Sequence, residues 1–343
     1  MRKAIGLLLV IVLAGLLTYD AGSPVGAQEI DLKLSHFMAP AHPMDQFVMR
    51  PWAQKVEKLT RGKVKIKLFP GGVLGPPPAQ YNSAVKNIAN IAFGLQGYTP
   101  GRFSVTSVME LPFLVDDSTD GTRVMWDLMK TFLKDEYKDT HVLLLWQSDP
   151  AIIMTRKKPV KTLEDMQGLK IRSPSAAQAG IISALGGVPV QMPITDAYNS
   201  LERGVIDGIM APWSAVRSFK FDEIANYYTD AGIARSTFFL VLNQKVWDDL
   251  PADAKQVISE TTGVEESVHA AQVYMDIAEK AKSFVKQKRS EIILLLGAEK
   301  TRWKKAVRPF SDQWVRDMEK KGLAGEKILA EAEKLAEKYE KSR

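Results

Sequence analysis

Short stretches of alternating hydrophobic and polar residues follow one another along the chain, separated by longer stretches with helical spacing. From residue 29 to residue 146 this pattern predicts strands and helices in a βαβ order. The apolar stretch IAFG (91–94) is typical of a buried parallel strand. We therefore expect an open α/β sheet with helices on its faces. The predicted strands are 29–37, 63–72, 91–94 and 141–146, and the predicted helices are 45–62, 78–90 and 121–137.

A second unit of the same kind begins near Asp149. Its helix 174–187 directly follows an apolar strand, with Ser173 as the predicted N-cap and Pro174 at the first helical position. The strand 237–243 belongs either to this unit or to the first sheet. The predicted strands are 169–172, 188–192, 205–210 and 237–243, and the other predicted helices are 161–168 and 195–204.

The longest periodic stretch covers about residues 251–288, where apolar or small residues recur every three or four positions. One continuous helix of that length would measure about 57 Å and would have to cross from one lobe to the other. The alternative is two helices that break at Gly263, because glycine has a low helix propensity. A charged surface helix is predicted for 324–343.

The N-terminus is typical of an export signal. Arg2 and Lys3 precede the apolar stretch 4–17, which is short for a membrane span, and small residues end at Ala27. Cleavage there would remove a signal peptide 1–27, and the alternative is an uncleaved anchor. The chain has no cysteine, which excludes disulfides and a lipid-attachment cysteine. These features predict a soluble protein of a bacterial periplasm.

Composition and motifs favour a binding protein. The 343 residues suffice for two domains, and the 46 lysines and arginines are spread along the chain, so nucleic-acid binding is not expected. The sequence lacks the common motifs for nucleophilic catalysis, zinc hydrolysis and nucleotide binding. His36 and His42 have no further ligand-type neighbours. We therefore expect no metal, no cofactor and no enzymatic activity.

One arginine ends a predicted buried strand. In QGLKIRSPSA (167–176) the strand runs into Arg172, beside a predicted helix N-terminus. A guanidinium fork and free N–H groups both suit a carboxylate, and open α/β sheets bind ligands at the carboxyl ends of their strands. The alternative is a structural salt bridge to an acidic side chain of the protein.

Several segments resemble the DctP-type solute-binding proteins of TRAP (tripartite ATP-independent periplasmic) transporters. They are LFPGGVLG, ELPFL, KTLEDMQGLKIRSPSA, AYNSLERGVIDGIMAPW and LNQKVWDDLP, in this order. The resemblance implies a periplasmic-binding-protein-like fold with two α/β lobes and a long helix that spans both. It also implies a salt bridge from Arg172 to the carboxylate of an organic acid, and delivery of that acid to the small and large integral membrane subunits.

The resemblance and the order of elements together predict the domain boundaries. Lobe 1 is expected to contain 28–149 and 238–277, and lobe 2 to contain 150–237 and 278–343. We expect a monomer.

The sequence departs from the family pattern in the cleft. Many members have an asparagine at the ligand after the V-x-D-G motif, where this chain reads Met210-Ala211-Pro212. Some carry a second arginine where this chain has Ile152. The cleft is therefore expected to be less polar than in sugar-acid binders.

The other candidate ligand contacts are side chains at strand ends. Trp213 follows a proline in a strand-end loop and is the first choice for stacking on the ligand. Core packing is the alternative for each aromatic residue or methionine. Arg235 is either a second cation of the site or part of a surface or interlobe ion pair. The predicted contacts are Arg172, Trp213, Gln96, Tyr98, Phe37, Met210 and Phe238.

The sequence thus predicts the binding subunit of a TRAP transporter for a small monocarboxylate with an apolar or aromatic body. One alternative is a periplasmic α/β hydrolase, for which Ser173 and Ser175 are the obvious hydroxyls. Another is a ligand-sensing partner of a membrane receptor.

Overall fold

The computed structural model describes residues 29–288 and 290–343, so the predicted signal peptide and its cleavage site lie outside the described residues. The strands are β1 (Ile30–Ser35), β2 (Val64–Phe69), β3 (Ile91–Leu95), β4 (Thr140–Gln147), β5 (Ala151–Thr155), β6 (Lys170–Ser173), β7 (Val188–Gln191), β8 (Gly208–Pro212), β9 (Tyr227–Asp230), β10 (Thr237–Asn243) and β11 (Glu291–Leu294). The α-helices are α1 (Arg50–Leu59), α2 (Gln80–Val85), α3 (Ser118–Thr131), α4 (Ala176–Ala184), α5 (Ile194–Glu202), α6 (Ser214–Ser218), α7 (Gln244–Asp249), α8 (Ala252–Glu260), α9 (Val264–Gln287), α10 (Gly297–Lys320) and α11 (Gly325–Lys341).

The first sheet, called sheet A, has the strand order β2-β1-β3-β10-β4. β1 pairs in parallel with β2 and β3, whereas β10 runs antiparallel between β3 and β4. The strand predicted at 237–243 therefore belongs to the first sheet. Every residue of β10 is buried. Alternate residues of this strand enter two core clusters on opposite faces, as expected for a strand that is covered on both sides.

The second sheet, called sheet B, has the order β11-β9-β5-β8-β6-β7. β6 pairs in parallel with β7 and β8, and β5 runs antiparallel to β8 and β9. The sequence pattern did not predict β5, β9, β11 or α10. β9 and β11 are four residues each, which is too short for a period of two to be recognised.

The chain crosses between the sheets after β4 and returns before β10. The two crossing segments are hydrogen-bonded to each other, with the Ser148 N–H on the Ser236 carbonyl at 2.9 Å and the Ala151 N–H on the Ala234 carbonyl at 2.8 Å. These paired segments form a narrow, two-stranded connection between the two sheets. A connection of this kind is the usual location of a hinge between lobes.

The long helix is interrupted. Gly263 has φ +96°, a backbone conformation that favours glycine, and it separates α8 from α9. The single helix predicted over 251–288 is therefore wrong, and the alternative with a break at Gly263 is observed. α9 is still about 36 Å long. Near its start Ser267 accepts from the Trp126 indole at 2.9 Å beside sheet A, and just after its end Lys288 pairs with Asp222 beside sheet B.

The last helix packs beside sheet A. Its Tyr339 hydroxyl donates to Asp127 of α3 at 2.7 Å, and Ile328 and Leu335 share a core with Val124. The predicted boundaries place this segment in lobe 2, whereas the contacts above place it beside sheet A. The division into lobes stays a prediction. Of the helices in residues 29–288 and 290–343, none combines the length and apolar composition of a membrane span.

Candidate functional site

Arg172 lies in β6, between β7 and β8. Its side chain is buried, and all three nitrogens donate to protein oxygens. Nε binds the Met192 carbonyl at 3.0 Å, Nη1 binds the Met210 carbonyl at 3.1 Å, and Nη2 binds the Tyr98 hydroxyl at 2.9 Å. Each terminal nitrogen carries a second hydrogen, which no described protein atom accepts. These two hydrogens are available to a carboxylate.

The guanidinium of Arg172 has no acidic partner in the part of the chain that the structure describes. None of the ion pairs among the described residues includes it, so the structural salt bridge that we considered is not observed. Burial lowers the pKa of Arg172 because its charge is removed from water, while nearby Tyr98 and Asp196 favour the charged form. A buried charge without a counter-ion is costly, and an anionic ligand would offset that cost.

The helix after β6 begins later than predicted. Ser173 is still in the strand, and the N-cap is Ser175, whose Oγ accepts from the Gln178 N–H at 3.1 Å. Pro174 therefore precedes the cap instead of opening the helix. The prediction of Ser173 as the N-cap is wrong, and the positive end of α4 is displaced from Arg172 along the chain.

Tyr98 links the two sheets at this point. It lies in a helical turn after β3 of sheet A, and its hydroxyl accepts from Arg172 and from the Ile194 N–H at 2.9 Å, both on the side of sheet B. Because both of these bonds use the oxygen as acceptor, the hydroxyl hydrogen of Tyr98 is free to be donated. A carboxylate at Arg172 would therefore find three donors: two guanidinium hydrogens and one phenol.

Arg172 and Tyr98 line a cavity between the two sheets with an empty volume of about 380 Å³. Among the described residues that line it, Arg172 is the only cationic side chain, and no aspartate or glutamate is present. Burial lowers the pKa of His42 in the wall to about 3, so that histidine is neutral.

Aromatic and imidazole rings belong to six of the fifteen described residues that line the cavity. Phe238 of β10 stacks on Tyr274 of α9, with ring centroids 5.3 Å apart, and Phe37 lies 5.7 Å from the ring of Tyr98. Such offset and tilted pairs leave flat apolar faces beside the guanidinium. The aromatic and imidazole side chains of the wall are Phe37, His42, Tyr98, Phe219, Phe238 and Tyr274.

The structure brings together four of the predicted contacts and one backbone group. Arg172, Tyr98, Phe37 and Phe238 line the cavity. Met210 contributes only its carbonyl oxygen, which accepts from Arg172. Its side chain belongs to the core cluster on the opposite face of sheet B.

Two predicted contacts lie elsewhere. The Trp213 indole donates to Asp230 at 2.9 Å and its ring stacks on Tyr228, so it lines a neighbouring crevice and not the Arg172 cavity. Gln96 donates to the Tyr137 hydroxyl at 3.0 Å and lines a different cavity. The prediction of Trp213 as the stacking residue is therefore not supported by its position.

Arg235 also lies outside the Arg172 cavity. Its guanidinium donates to the Ser118 hydroxyl at 3.1 Å and to the carbonyls of Val115 and Asp116. No ion pair among the described residues includes it, so the predicted surface or interlobe ion pair is not observed. Arg235 instead holds the segment that leads into α3.

Sequence reasoning missed His42, Ser214, Phe219 and Tyr274, which also line the cavity. Tyr274 had a detectable signal. It lies on α9 at helical spacing from Ala270, Ala271, Ala278 and Ala281, all of which are buried, so a face of small residues with one tyrosine was present in the sequence.

The carboxyl groups of Glu110 and Asp149 are both buried. Burial raises the pKa of Glu110 to about 7, although the hydrogen bonds from Ser175 and Thr237 act to lower it. The Glu110–Ser175 bond joins the helical turn before α3 to the N-cap of α4 and therefore crosses between the sheets. Burial likewise raises the pKa of Asp149 to about 7, while its contacts with Ser214 act in the opposite direction.

A larger cavity of about 930 Å³ includes Gln96 in its lining. It is lined by two carboxyl groups, Glu110 and Asp317, and by one cation, Lys321. Two acidic groups make it a poor site for an anion. Among the described residues no group of three or more histidine, cysteine, aspartate or glutamate side chains is placed to hold a metal ion; the absence of metal and cofactor stays a prediction.

The two-sheet fold, the crossing segments and the enclosed cavity define a two-lobed ligand-binding protein. The chain belongs to the DctP family, described as "Bacterial extracellular solute-binding protein, family 7", which it matches over residues 34–317. This membership confirms the predicted family and fold class and the predicted general function, that of a TRAP solute-binding protein.

Known relatives agree with this assignment. A TRAP solute binding protein from Rhodoferax ferrireducens, solved with copurified benzoate, is 31% identical, with a TM-score of 0.88 over 91% of this chain and 99% of that one. A marine metagenome TRAP protein specific for aromatic acids, solved with 3-hydroxybenzoate, is 26% identical with a TM-score of 0.88, over 91% of this chain and 99% of that one. The C4-dicarboxylate-binding periplasmic protein of Rhodobacter capsulatus is 26% identical, over 84% of this chain and 88% of that one.

Proposed function

We propose that this solute-binding protein captures a small aromatic monocarboxylate between its lobes and delivers it to TRAP membrane subunits. The observation that carries the proposal is Arg172, which is buried without an acidic partner among the described residues and lines a cavity that also contains aromatic rings. The carboxylate would accept from both terminal nitrogens of Arg172 and from Tyr98. Charge-assisted bonds of this kind are each worth roughly 1.5–3 kcal/mol.

The charges of the cavity favour one carboxylate over two. Arg172 is the only cation among the described lining residues, and His42 is neutral because burial lowers its pKa to about 3. A second carboxylate would be desolvated without a counter-ion, which is strongly unfavourable. We therefore assign the protein to monocarboxylates, although one relative is named for C4-dicarboxylates.

The walls favour a flat ring. Phe37, Phe238 and Tyr274 present ring faces, and few polar side chains are available to bind the hydroxyls of a sugar acid. The absence of an asparagine at Ala211 agrees with this. Two relatives with the same fold are described in complex with benzoate and 3-hydroxybenzoate, which supports an aromatic ligand here.

The cavity is enclosed by contacts between the two sheets, namely Tyr98 with Arg172 and Glu110 with Ser175. Ligand exchange requires these contacts to separate, with the paired segments at Ser148 and Ser236 as the hinge. The described form is thus the closed form, which a membrane partner would recognise and open. Export to the periplasm and the membrane subunits as partners are parts of this proposal.

The hydrolase alternative has little support. Ser175 donates to the carboxyl group of Glu110, but both residues line the larger cavity and not the Arg172 cavity, and the Ser173 hydroxyl has no hydrogen-bond partner among the described residues. Activation of a serine nucleophile needs an adjacent base. The sensing alternative would use the same cavity with a different membrane partner.

Isothermal titration calorimetry on protein that has been unfolded and refolded, to remove copurified ligand, tests the proposal. The panel is benzoate, cyclohexanecarboxylate, succinate and glucuronate. We expect benzoate to bind at least about 100-fold more tightly than succinate or glucuronate, because those ligands leave polar groups unpaired. Tight binding of only the sugar acid or the dicarboxylate would refute the proposal.

A further inference from the structure

One side of the cavity contains hydroxyl groups that the carboxylate site does not use. Tyr274 is 3% exposed, its ring stacks on Phe238, and its hydroxyl has no hydrogen-bond partner among the described residues. Ser214, which begins α6, is 1% exposed, and its Oγ lies beside the Asp149 carboxyl group without a well-formed hydrogen bond among the described residues. Both side chains line the Arg172 cavity. Buried polar groups are nearly always hydrogen-bonded, so the orphan Tyr274 hydroxyl in a ligand cavity indicates a missing polar partner, to which the Ser214 hydroxyl offers a second contact.

These hydroxyls differ from Tyr98, whose oxygen accepts from Arg172 and Ile194. The oxygen of Tyr98 is therefore already paired, and only its hydrogen is available to a carboxylate. Tyr274 and Ser214 have both a donor and an acceptor to offer. They match a ligand group that can donate and accept at once, which is the property of a hydroxyl.

A second carboxylate does not match this side of the cavity. Asp149 is buried next to Ser214, whose N–H donates to one of its carboxylate oxygens at 3.2 Å, and its other oxygen is unpartnered among the described residues. An acidic side chain at this position repels a ligand anion, whereas it tolerates a neutral hydroxyl.

We propose that Tyr274 and Ser214 form a second recognition element, which hydrogen-bonds a hydroxyl substituent on the ring of the aromatic acid. The ligand class is thereby narrowed from aromatic monocarboxylates to hydroxylated ones. This inference rests on the proposed function, because Arg172 must hold the carboxylate for the ring to reach these hydroxyls.

The test compares benzoate with the three hydroxybenzoate isomers by calorimetry, in the wild type and in Tyr274→Phe. We expect at least one isomer to bind about tenfold or more tightly than benzoate in the wild type, since an unpaired buried hydroxyl penalises the analogue that lacks the group. In Tyr274→Phe that ratio should fall at least about fivefold, because the variant keeps the ring and removes the unpaired hydroxyl.

Tyr228→Phe is the matched control. Tyr228 is also buried, but its hydroxyl donates to the Ala225 carbonyl at 3.1 Å and it lies outside the cavity, so the ratio should not change. Ser214→Ala provides a second variant if Tyr274→Phe does not fold, and the same fall in the ratio is expected.

Three outcomes separate the two proposals. A preference that falls in the variants supports this inference. If all isomers bind like benzoate in the wild type, or if the preference survives in both variants, the second recognition element is refuted while the aromatic-acid function stands. If neither benzoate nor any isomer binds, the proposed function fails, and this inference fails with it.

Discussion

Arg172 and Arg235 are both buried, and their local bonding is alike. Each donates from all three guanidinium nitrogens to oxygens of the protein, and neither takes part in an ion pair among the described residues. Burial lowers the pKa of both, because each charge is removed from water. Burial and hydrogen bonding therefore do not show which arginine binds a ligand.

The surrounding charge separates them. Asp117, Asp116 and Asp149 all favour the charged form of Arg235, against Asp196 alone among the described acids for Arg172, and the crevice beside Arg235 is lined by further acidic side chains. The cavity beside Arg172 has no acidic lining residue in the described part of the chain. An arginine is a candidate ligand site when the open space next to it lacks acids, because the protein then leaves the charge for an incoming anion.

Replacing Arg172 should have the largest effect. Arg172→Met removes both hydrogens of the fork, so the affinity for benzoate should fall at least about 100-fold, and Arg172→Lys should lose at least about tenfold because lysine cannot reproduce the fork. Calorimetry measures both. An unchanged affinity in folded Arg172→Lys protein would contradict the role of the guanidinium.

Arg235→Lys is the matched control for this comparison. It should lower the melting temperature, since Ser118 and the carbonyls of Val115 and Asp116 lose their donors, yet change the affinity for benzoate less than about threefold. A loss of affinity as large as that of Arg172→Lys would remove the distinction between the two arginines.

Tyr98→Phe should have the next largest effect. It removes one donor to the carboxylate and the acceptor that holds Nη2 of Arg172, so the affinity should fall about tenfold. Tyr137→Phe is the control, because Tyr137 is also buried but binds Gln96 outside the cavity. An affinity for benzoate that is unchanged in Tyr98→Phe would show that Arg172 acts alone.

Like the two arginines, Glu110 is a buried ionisable group without an ion pair among the described residues, but it is a carboxyl group. Its pKa is raised from 4.5 to about 7 when folded, so the protein loses stability as the pH rises from about 4.5 to about 7, and the loss is complete above that range. Glu110→Gln should remove this loss, worth up to about 3 kcal/mol at pH 8.

Thermal unfolding at pH 5 and at pH 8 measures this effect. The stability gained in Glu110→Gln should be present at pH 8 and nearly absent at pH 5. Glu333 is exposed, so the control variant Glu333→Gln should have the same melting temperature as the wild type at both pH values. A gain of equal size at both pH values would show that Glu110 is not the titrating group.

Trp213→Phe should change the affinity least. Trp213 donates to Asp230 and stacks on Tyr228 outside the Arg172 cavity, so we expect a change below about twofold, together with a lower melting temperature. A loss of more than tenfold in affinity would return Trp213 to the binding site, as the sequence had suggested.

Much of the fold followed from periodicity, because strands with a buried face repeat every two residues. β1 and β4 lie at the predicted positions 29–37 and 141–146, within a few residues. Arg172 was found because a charge directly after an apolar strand is unusual. These are local features, and a single sequence contains them.

The face and the partner of a side chain were harder to predict. Met210 and Trp213 lie at the end of β8, but their distance from a strand end does not reveal on which side of the sheet each side chain lies. The partner of Trp213 is Asp230, at the end of the four-residue strand β9, which the pattern did not reveal. On α9 the alanines give little hydrophobic contrast, so the buried face with Tyr274 was missed.

The central claim is that the carboxylate of the ligand binds Arg172, and a crystal structure of the refolded protein with benzoate tests it most directly. We predict that the two carboxylate oxygens accept hydrogen bonds from Nη1 and Nη2 of Arg172 and from the Tyr98 hydroxyl. The ring should lie between Phe37, Phe238 and Tyr274. A benzoate bound instead beside Arg235, in the crevice that contains Trp213, would contradict the account.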